Sequence, residues 1–186
     1  MQKRATVPFH KWYTLHNLHN FGAIGLGILS LYFQNNAIMN ERVPILWSLG
    51  YFVVDIWDCA VRQDVTYLLH GVFCLVLGLA NYHIPTCRLL RMNSKATLCE
   101  LSNPFMHLSR RTRKPMHFLL FAMVFTCCRV LWIPWMVRQL VQADMPLNHP
   151  IQICLLAFYA LNLFWYYKIL RILLEGVAGK TAAKES

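Results

Sequence analysis

Five apolar runs, separated by short polar or proline-bounded stretches, organise this 186-residue chain: Phe21–Phe33, Pro44–Val61, Val65–Tyr82, Met116–Val137 and Ile151–Leu174. At 1.5 Å rise per residue, a helix needs roughly 20 residues to cross a hydrocarbon core. The last four runs approach that length. The first is short and borrows its amphipathic flank, Leu15–Asn20. Pro44, Pro115 and Pro150 stand where a helix tolerates proline, in its first turn, and Pro85 follows the third run. Gly22, Gly25 and Gly27 let another helix come close to the first. Pro134 predicts a kink in the helix of Met116–Val137.

The segment Thr86–Leu108 breaks this pattern. Arg88, Arg91, Lys95, Glu100, Asn103 and His107 are scattered among its apolar residues, so hydropathy alone reads a loop. Charge argues for a crossing. If the segment spans, Arg110, Arg111, Arg113 and Lys114 join Lys3, Arg4, Lys11 and Arg62 on one side, together with Lys168, Arg171, Lys180 and Lys184. Arg42, Arg88, Arg91 and Arg138 remain on the other. Basic residues gather in the cytoplasmic loops of membrane proteins, so this pattern predicts six spans with both termini inside. A fourth helix this polar must be covered by its neighbours.

Composition agrees. Hydrophobic residues make up 57% of the chain and charged ones 14%. The expected class is an all-α polytopic membrane protein: a basic interfacial segment over 1–20, a six-helix membrane domain over 21–175 and a flexible polar tail over 176–186. The net charge of +10 comes from residues flanking apolar runs rather than from a solvated basic face, which argues against nucleic-acid binding. Seven cysteines, an odd number without a CxxC pair, predict neither a disulfide framework nor a zinc site. No cofactor is expected. The N-terminus lacks the small-residue cleavage site of a secretory signal. Its first 40 residues contain no acid, which is compatible with a mitochondrial address.

Ionisable side chains inside apolar runs are functional candidates, because a bilayer tolerates them only where they face a bundle interior or a polar cavity. Asp55 and Asp58, three residues apart, share a helix face, and Asp58 can also reach Arg62 near the membrane edge. Asp55 lies deeper and needs a cation, a proton or hydrogen bonds, which His70 or Arg129 could supply across the bundle. His70 beside a carboxylate is a candidate general base, or a buried histidine bonded to a neighbour. Arg129, in the middle of the Met116–Val137 run, can hold a lipid phosphate or carboxylate, or pair with Asp55. His10, His16 and His19 precede the first run without a third matching metal ligand, and with Trp12 and Tyr13 they read as an interfacial belt.

Several blocks, in order, resemble the TLC domain family, named for the translocating-chain-associating membrane protein, the longevity-assurance ceramide synthases and the neuronal ceroid lipofuscinosis protein. They are Gly50–Asp55 (GYFVVD), Leu68–His70, Glu100–Phe105 with His107–Leu108, Phe125–Val130 with Pro134, and Asn162–Tyr166 with Lys168–Ile169. The resemblance covers roughly residues 15 to 175. It implies a six-helix bundle around a lipid-accessible cavity, with Glu100 and Asn103 building its interior. Ceramide synthases carry two adjacent histidines, and Gly71 stands here in place of the second.

The expected function is therefore lipid binding or handling inside the bundle, without catalysis, by Asp55, Asp58, His70, Glu100, Asn103 and Arg129. His70 and Asp55 are the catalytic candidates if the chain is an acyltransferase. The alternative is an accessory subunit of a larger membrane complex, such as one of the mitochondrial inner membrane. The expected partners are a membrane lipid and possible further membrane subunits. The family resemblance implies the endoplasmic reticulum.

Overall fold

The computed structural model describes the backbone of residues 9–182 and the side chains of residues 15–175. Every regular element among the described residues is helical. Three long helices come first: α1 (Phe9–Phe33), α2 (Arg42–Arg62) and α3 (Val65–His83). A broken helical segment follows, made of α4 (Pro85–Leu89), α5 (Met92–Thr97), a 3-10 turn (Leu98–Leu101) and α6 (Ser102–Thr112). Then α7 (Pro115–Phe125) passes through a π-helical turn (Thr126–Leu131) into α8 (Trp132–Gln142), and α9 (Pro150–Ala182) closes the chain.

These pieces form six rods that pack in a ring. α1 touches α2, α2 touches α3 and α3 touches α9; α9 meets the α7–α8 rod, which meets the broken segment, which returns to α1. The ring is built inside out relative to a soluble bundle. On α2 the exposed residues include Leu46, Val53, Trp57 and Val61, whereas Ser48, Asp55 and Asp58 are buried. Apolar outside and polar inside is the arrangement a hydrocarbon solvent selects.

Among the described residues, four helices are long and apolar enough to cross a membrane: Arg42–Arg62, Val65–His83, Pro115–Gln142 and Pro150–Glu175. The expected count of six is not reached by that measure. The two other rods are helical but too polar or too broken to meet it. The broken segment nevertheless runs the length of the ring beside α3. Arg88, near its start, donates to the Tyr82 carbonyl, and Arg110, near its end, donates to the Tyr67 hydroxyl at 3.2 Å. Arg91, in the left-handed region at φ 52°, sets the break between α4 and α5. The polar residues of the segment are covered, as their charge demands: Asn93, Ser94, Thr97, Glu100 and Ser102 are all buried.

Two expectations about the ends are revised. α1 runs through position 20 without interruption, and His19 and Asn20 are buried in the ring. His19 therefore faces the ring rather than an interface; the side chains of His10, Trp12 and Tyr13, read with it as a belt, lie outside the described residues. α9 continues to Ala182, so the backbone of 176–182 is helical; the rest of the expected tail, 183–186, lies outside the described residues, as do Lys3 and Arg4.

Small residues set the close approaches. A Cβ on Gly22 would stand 2.5 Å from the Trp47 ring, and one on Gly27 would overlap the Thr97 hydroxyl and stand 3.1 Å from the Ser94 carbonyl. Gly27→Leu is expected to wedge α1 from α5 and cost about 1–3 kcal/mol. Gly25 has nothing within 4 Å of its Cβ position, so Gly25→Leu serves as the control. Equal unfolding midpoints for the two variants in detergent would contradict this packing.

Candidate functional site

The ring encloses a cavity of about 60 Å³ that receives a wall from all six rods, and it is not sealed. His19 comes from α1, Ser48 from α2, Asn81 from α3, Glu100 from the broken segment, Met136 from α8 and Phe158 from α9. One water needs roughly 10–15 Å³ of such space, so the cavity holds several small groups in a row.

Most of the wall is apolar, yet three buried polar residues in it are unsatisfied. Ser48 is 5% exposed, Asn93 6% and His19 3%. Among the described residues, the Ser48 hydroxyl and the Asn93 amide nitrogen have no hydrogen-bond partner. Neither ring nitrogen of His19 makes a well-formed bond, although the Asn20 amide lies beside it. A buried polar group without a partner costs about 1–3 kcal/mol, so each marks a place where a ligand or water group completes the structure.

Most of the polar residues named from the sequence, Asp55, Asp58, His70, Asn103 and Arg129, do not line this cavity. Glu100 is the exception, since it lines the cavity itself. Its carboxylate accepts from the Asn103 amide nitrogen, which also reaches Asn20 Oδ1 at 3.3 Å. The Asn103 carbonyl oxygen accepts from Arg129 Nη2 at 3.1 Å. Asn103 thus links the buried acid to the buried guanidinium.

Arg129 is 3% exposed, and each of its three nitrogens donates to a neutral acceptor. Its Nε donates to the Cys99 carbonyl at 3.2 Å and to the Ser102 hydroxyl at 3.0 Å, and its Nη1 donates to Asn162 Oδ1 at 3.0 Å. The π-helical turn around it has a local cause. Pro134 has no N–H for the Val130 carbonyl, and the Tyr159 hydroxyl donates to that carbonyl instead, at 3.1 Å. The kink expected at Pro134 is therefore expressed upstream, as a widened turn that carries Arg129.

Arg129 does not pair with Asp55. Asp55 accepts from the Tyr51 hydroxyl at 3.4 Å, and the Tyr51 oxygen shares a hydrogen bond with His16 Nδ1. The His19 ring stacks on Tyr51 at 3.7 Å. Asp58 forms an ion pair with Arg62, the local pairing at the membrane edge. The His70 ring stacks on Phe158 and lies against Trp165, both at 5.3 Å between centroids, and its Nε2 is 3.7 Å from the Cys74 sulfur. The acid, imidazole and guanidinium thus have separate partners, because each lies nearer to its own shell than to the others. Among the described residues, no three His, Cys, Asp or Glu side chains gather as a metal site.

Gly71 is closed to a side chain. A Cβ there would stand 2.9 Å from Ile56 Cγ1 and 3.4 Å from Asp55 Oδ2. The glycine is what lets α2 and α3 approach at the level of Asp55.

The sequence reading missed His19, Ser48 and Asn93 as wall residues. Ser48 was accessible to it: it lies seven residues before Asp55, on the same face of α2. Asn93 carried no such signal, because the breaks on either side of α5 erase any continuous periodicity.

No curated protein and no solved structure matches the chain significantly. A family model does: the TLC domain, over residues 16–171. That match spans most of the chain and all six rods, and with the apolar-out, polar-in ring it makes this chain a membrane protein of the TLC domain family.

Proposed function

We propose that this protein binds a membrane lipid inside its helical ring and handles it without catalysis. The observation that carries the reading is the central cavity. It lies between all six rods of a membrane protein, it is walled mostly by apolar side chains, and it holds buried polar groups that lack partners. An amphipathic molecule satisfies both parts at once, its chain against the apolar wall and its polar atoms against the unpaired ones.

The residues around the cavity support a holding role. Arg129 and Asn103 form a bonded chain to Glu100, which holds that part of the wall in place. Rings occupy the surroundings of His70, and the place of a second histidine is filled by the approach of Ile56 to Gly71. A general base needs a free lone pair facing the group it deprotonates, and these packed surroundings favour a structural His70.

Purification of the full chain in mild detergent, followed by extraction and mass spectrometry, tests the reading. The expected result is lipid retained at close to one molecule per chain. Protein that is monodisperse, correctly folded and free of lipid would sink it.

For the compartment, the family membership supports the endoplasmic reticulum. A tagged chain is expected to overlap an endoplasmic reticulum marker in cells, and residence in the mitochondrial inner membrane would overturn this part alone.

A further inference from the structure

We infer that the lipid held in the cavity is a single-chain molecule with an uncharged head carrying a hydroxyl and a carbonyl oxygen, the chemistry of a monoacylglycerol. The inference rests on the lipid-binding reading and sharpens it. Three observations lead to it, and each excludes something.

The first is charge. Among the described residues that line the cavity there is no lysine and no arginine, and Glu100 is its one carboxyl. A phosphate or carboxylate head would enter beside an acid without a cation to meet it. Burying such an unpaired charge is far more costly than burying a neutral polar group. Arg129 does not line the cavity, and its Nε, Nη1 and Nη2 are each held by an acceptor among Cys99, Ser102, Asn162 and Asn103, which fixes the guanidinium where it stands. A cationic head fares little better. Glu100 is linked through Asn103 to Arg129, so the neighbourhood already carries a compensating positive charge.

The second is the set of groups left unpaired. The Asn93 amide nitrogen offers hydrogens only, and a carbonyl oxygen accepts them. The Ser48 hydroxyl both donates and accepts, which suits a ligand hydroxyl. Neutral His19, with one nitrogen of each kind, adds the same pair of roles. A hydrocarbon alone would leave all of these unsatisfied.

The third is space. Most of the remaining wall is apolar, with Phe52, Leu77, Ile133, Met136, Leu155 and Phe158 its largest side chains, and the room it leaves is about 60 Å³. At roughly 10–15 Å³ per small group, that accepts a small head and the first carbons of one chain, with the rest of the chain leaving through the cavity's open side, and it leaves no room for the branched body of a two-chain lipid.

The test compares two probes that differ by one phosphate: tritiated 1-monooleoylglycerol and tritiated 1-oleoyl lysophosphatidate. Both are titrated against the full chain in nanodiscs of uncharged lipid. Monooleoylglycerol is expected to bind saturably, with lysophosphatidate at least about tenfold weaker. Asn93→Leu and Ser48→Ala are each expected to weaken monooleoylglycerol binding by about two- to tenfold, the worth of one hydrogen bond. Both variants remove atoms that bond to nothing in the described structure, so folding is retained, and unfolding midpoints check this.

Equal or tighter binding of lysophosphatidate would overturn the uncharged head, and unchanged monooleoylglycerol affinity in both variants would overturn the assigned contacts. In either case the lipid-binding reading survives. If neither probe binds saturably but lipid is extracted from the purified chain, this inference fails and that reading stands. If neither binds and no lipid is extracted, both fall.

Discussion

Arg129→Met is expected to destabilise the protein by about 3–5 kcal/mol, the cost of breaking up a buried, charge-assisted network. Methionine fills most of the volume, so the loss isolates the guanidinium's bonds from its packing. Without them, the Ser102 hydroxyl and the Asn103 and Asn162 side-chain oxygens lose their donor, and the Cys99 carbonyl keeps the bonds from Ser102. Those acceptors belong to the broken segment and to α9, so the variant unties the two rods that flank the π-helical turn. Arg129→Lys keeps the charge and still fails, because one ammonium cannot reproduce a planar fork that reaches four acceptors. Thermal unfolding in detergent checks both. An Arg129→Met midpoint equivalent to a loss below about 1 kcal/mol would show that the network carries no more than one ordinary hydrogen bond.

At the other end of the ring, Glu41→Ala is expected to have an effect of similar size. Glu41 is 1% exposed and accepts from the Ser30 hydroxyl at 2.5 Å, the Ser94 backbone N–H at 2.9 Å and the Ser94 hydroxyl at 2.5 Å. Arg91 Nη1 lies 3.7 Å from the same carboxylate. Arg91 also donates to the Ser30 hydroxyl, the Met39 carbonyl and Asn36 Oδ1. The cluster fastens the α1–α2 connection to the start of α5. Alanine leaves a buried guanidinium without its counter-charge, again a loss of about 3–5 kcal/mol. Glu41→Gln keeps an acceptor for the Ser94 N–H and so loses less. Hydrogen exchange should quicken in residues 34–41 and 91–94 of the alanine variant. Unchanged protection there, with an unchanged midpoint, would remove this pin from the account.

The two networks explain how a segment as polar as 85–112 stays inside a membrane ring. Its charges are not left to the lipid. Arg91 is met by the α1–α2 connection, Lys95 donates to Gln139 Oε1 at 2.6 Å, and Glu100 and Asn103 are tied to Arg129. In hydrocarbon each of these groups lacks water as an alternative partner, so the fold must supply one.

The helical class, the membrane setting and the apolar rods were all legible in the amino-acid sequence, because run length and hydropathy act locally and add along the chain. Asp58 with Arg62 was legible for the same reason, as partners one turn apart. The need to cover the segment 86–108 could also be read, because its charge cannot face lipid. Which groups would meet was decided only in three dimensions. Arg129 found four neutral acceptors rather than Asp55, since a guanidinium takes whatever oxygens the folded ring brings within about 3 Å. His19 moved from an expected interface into the cavity wall, since α1 continues unbroken past residue 20 and turns that face inward. Sequence spacing specifies which face of a helix a residue occupies; only the closing of the ring specifies what that face looks upon, and the unpaired Ser48, Asn93 and His19 exist as a site because six rods converge on them.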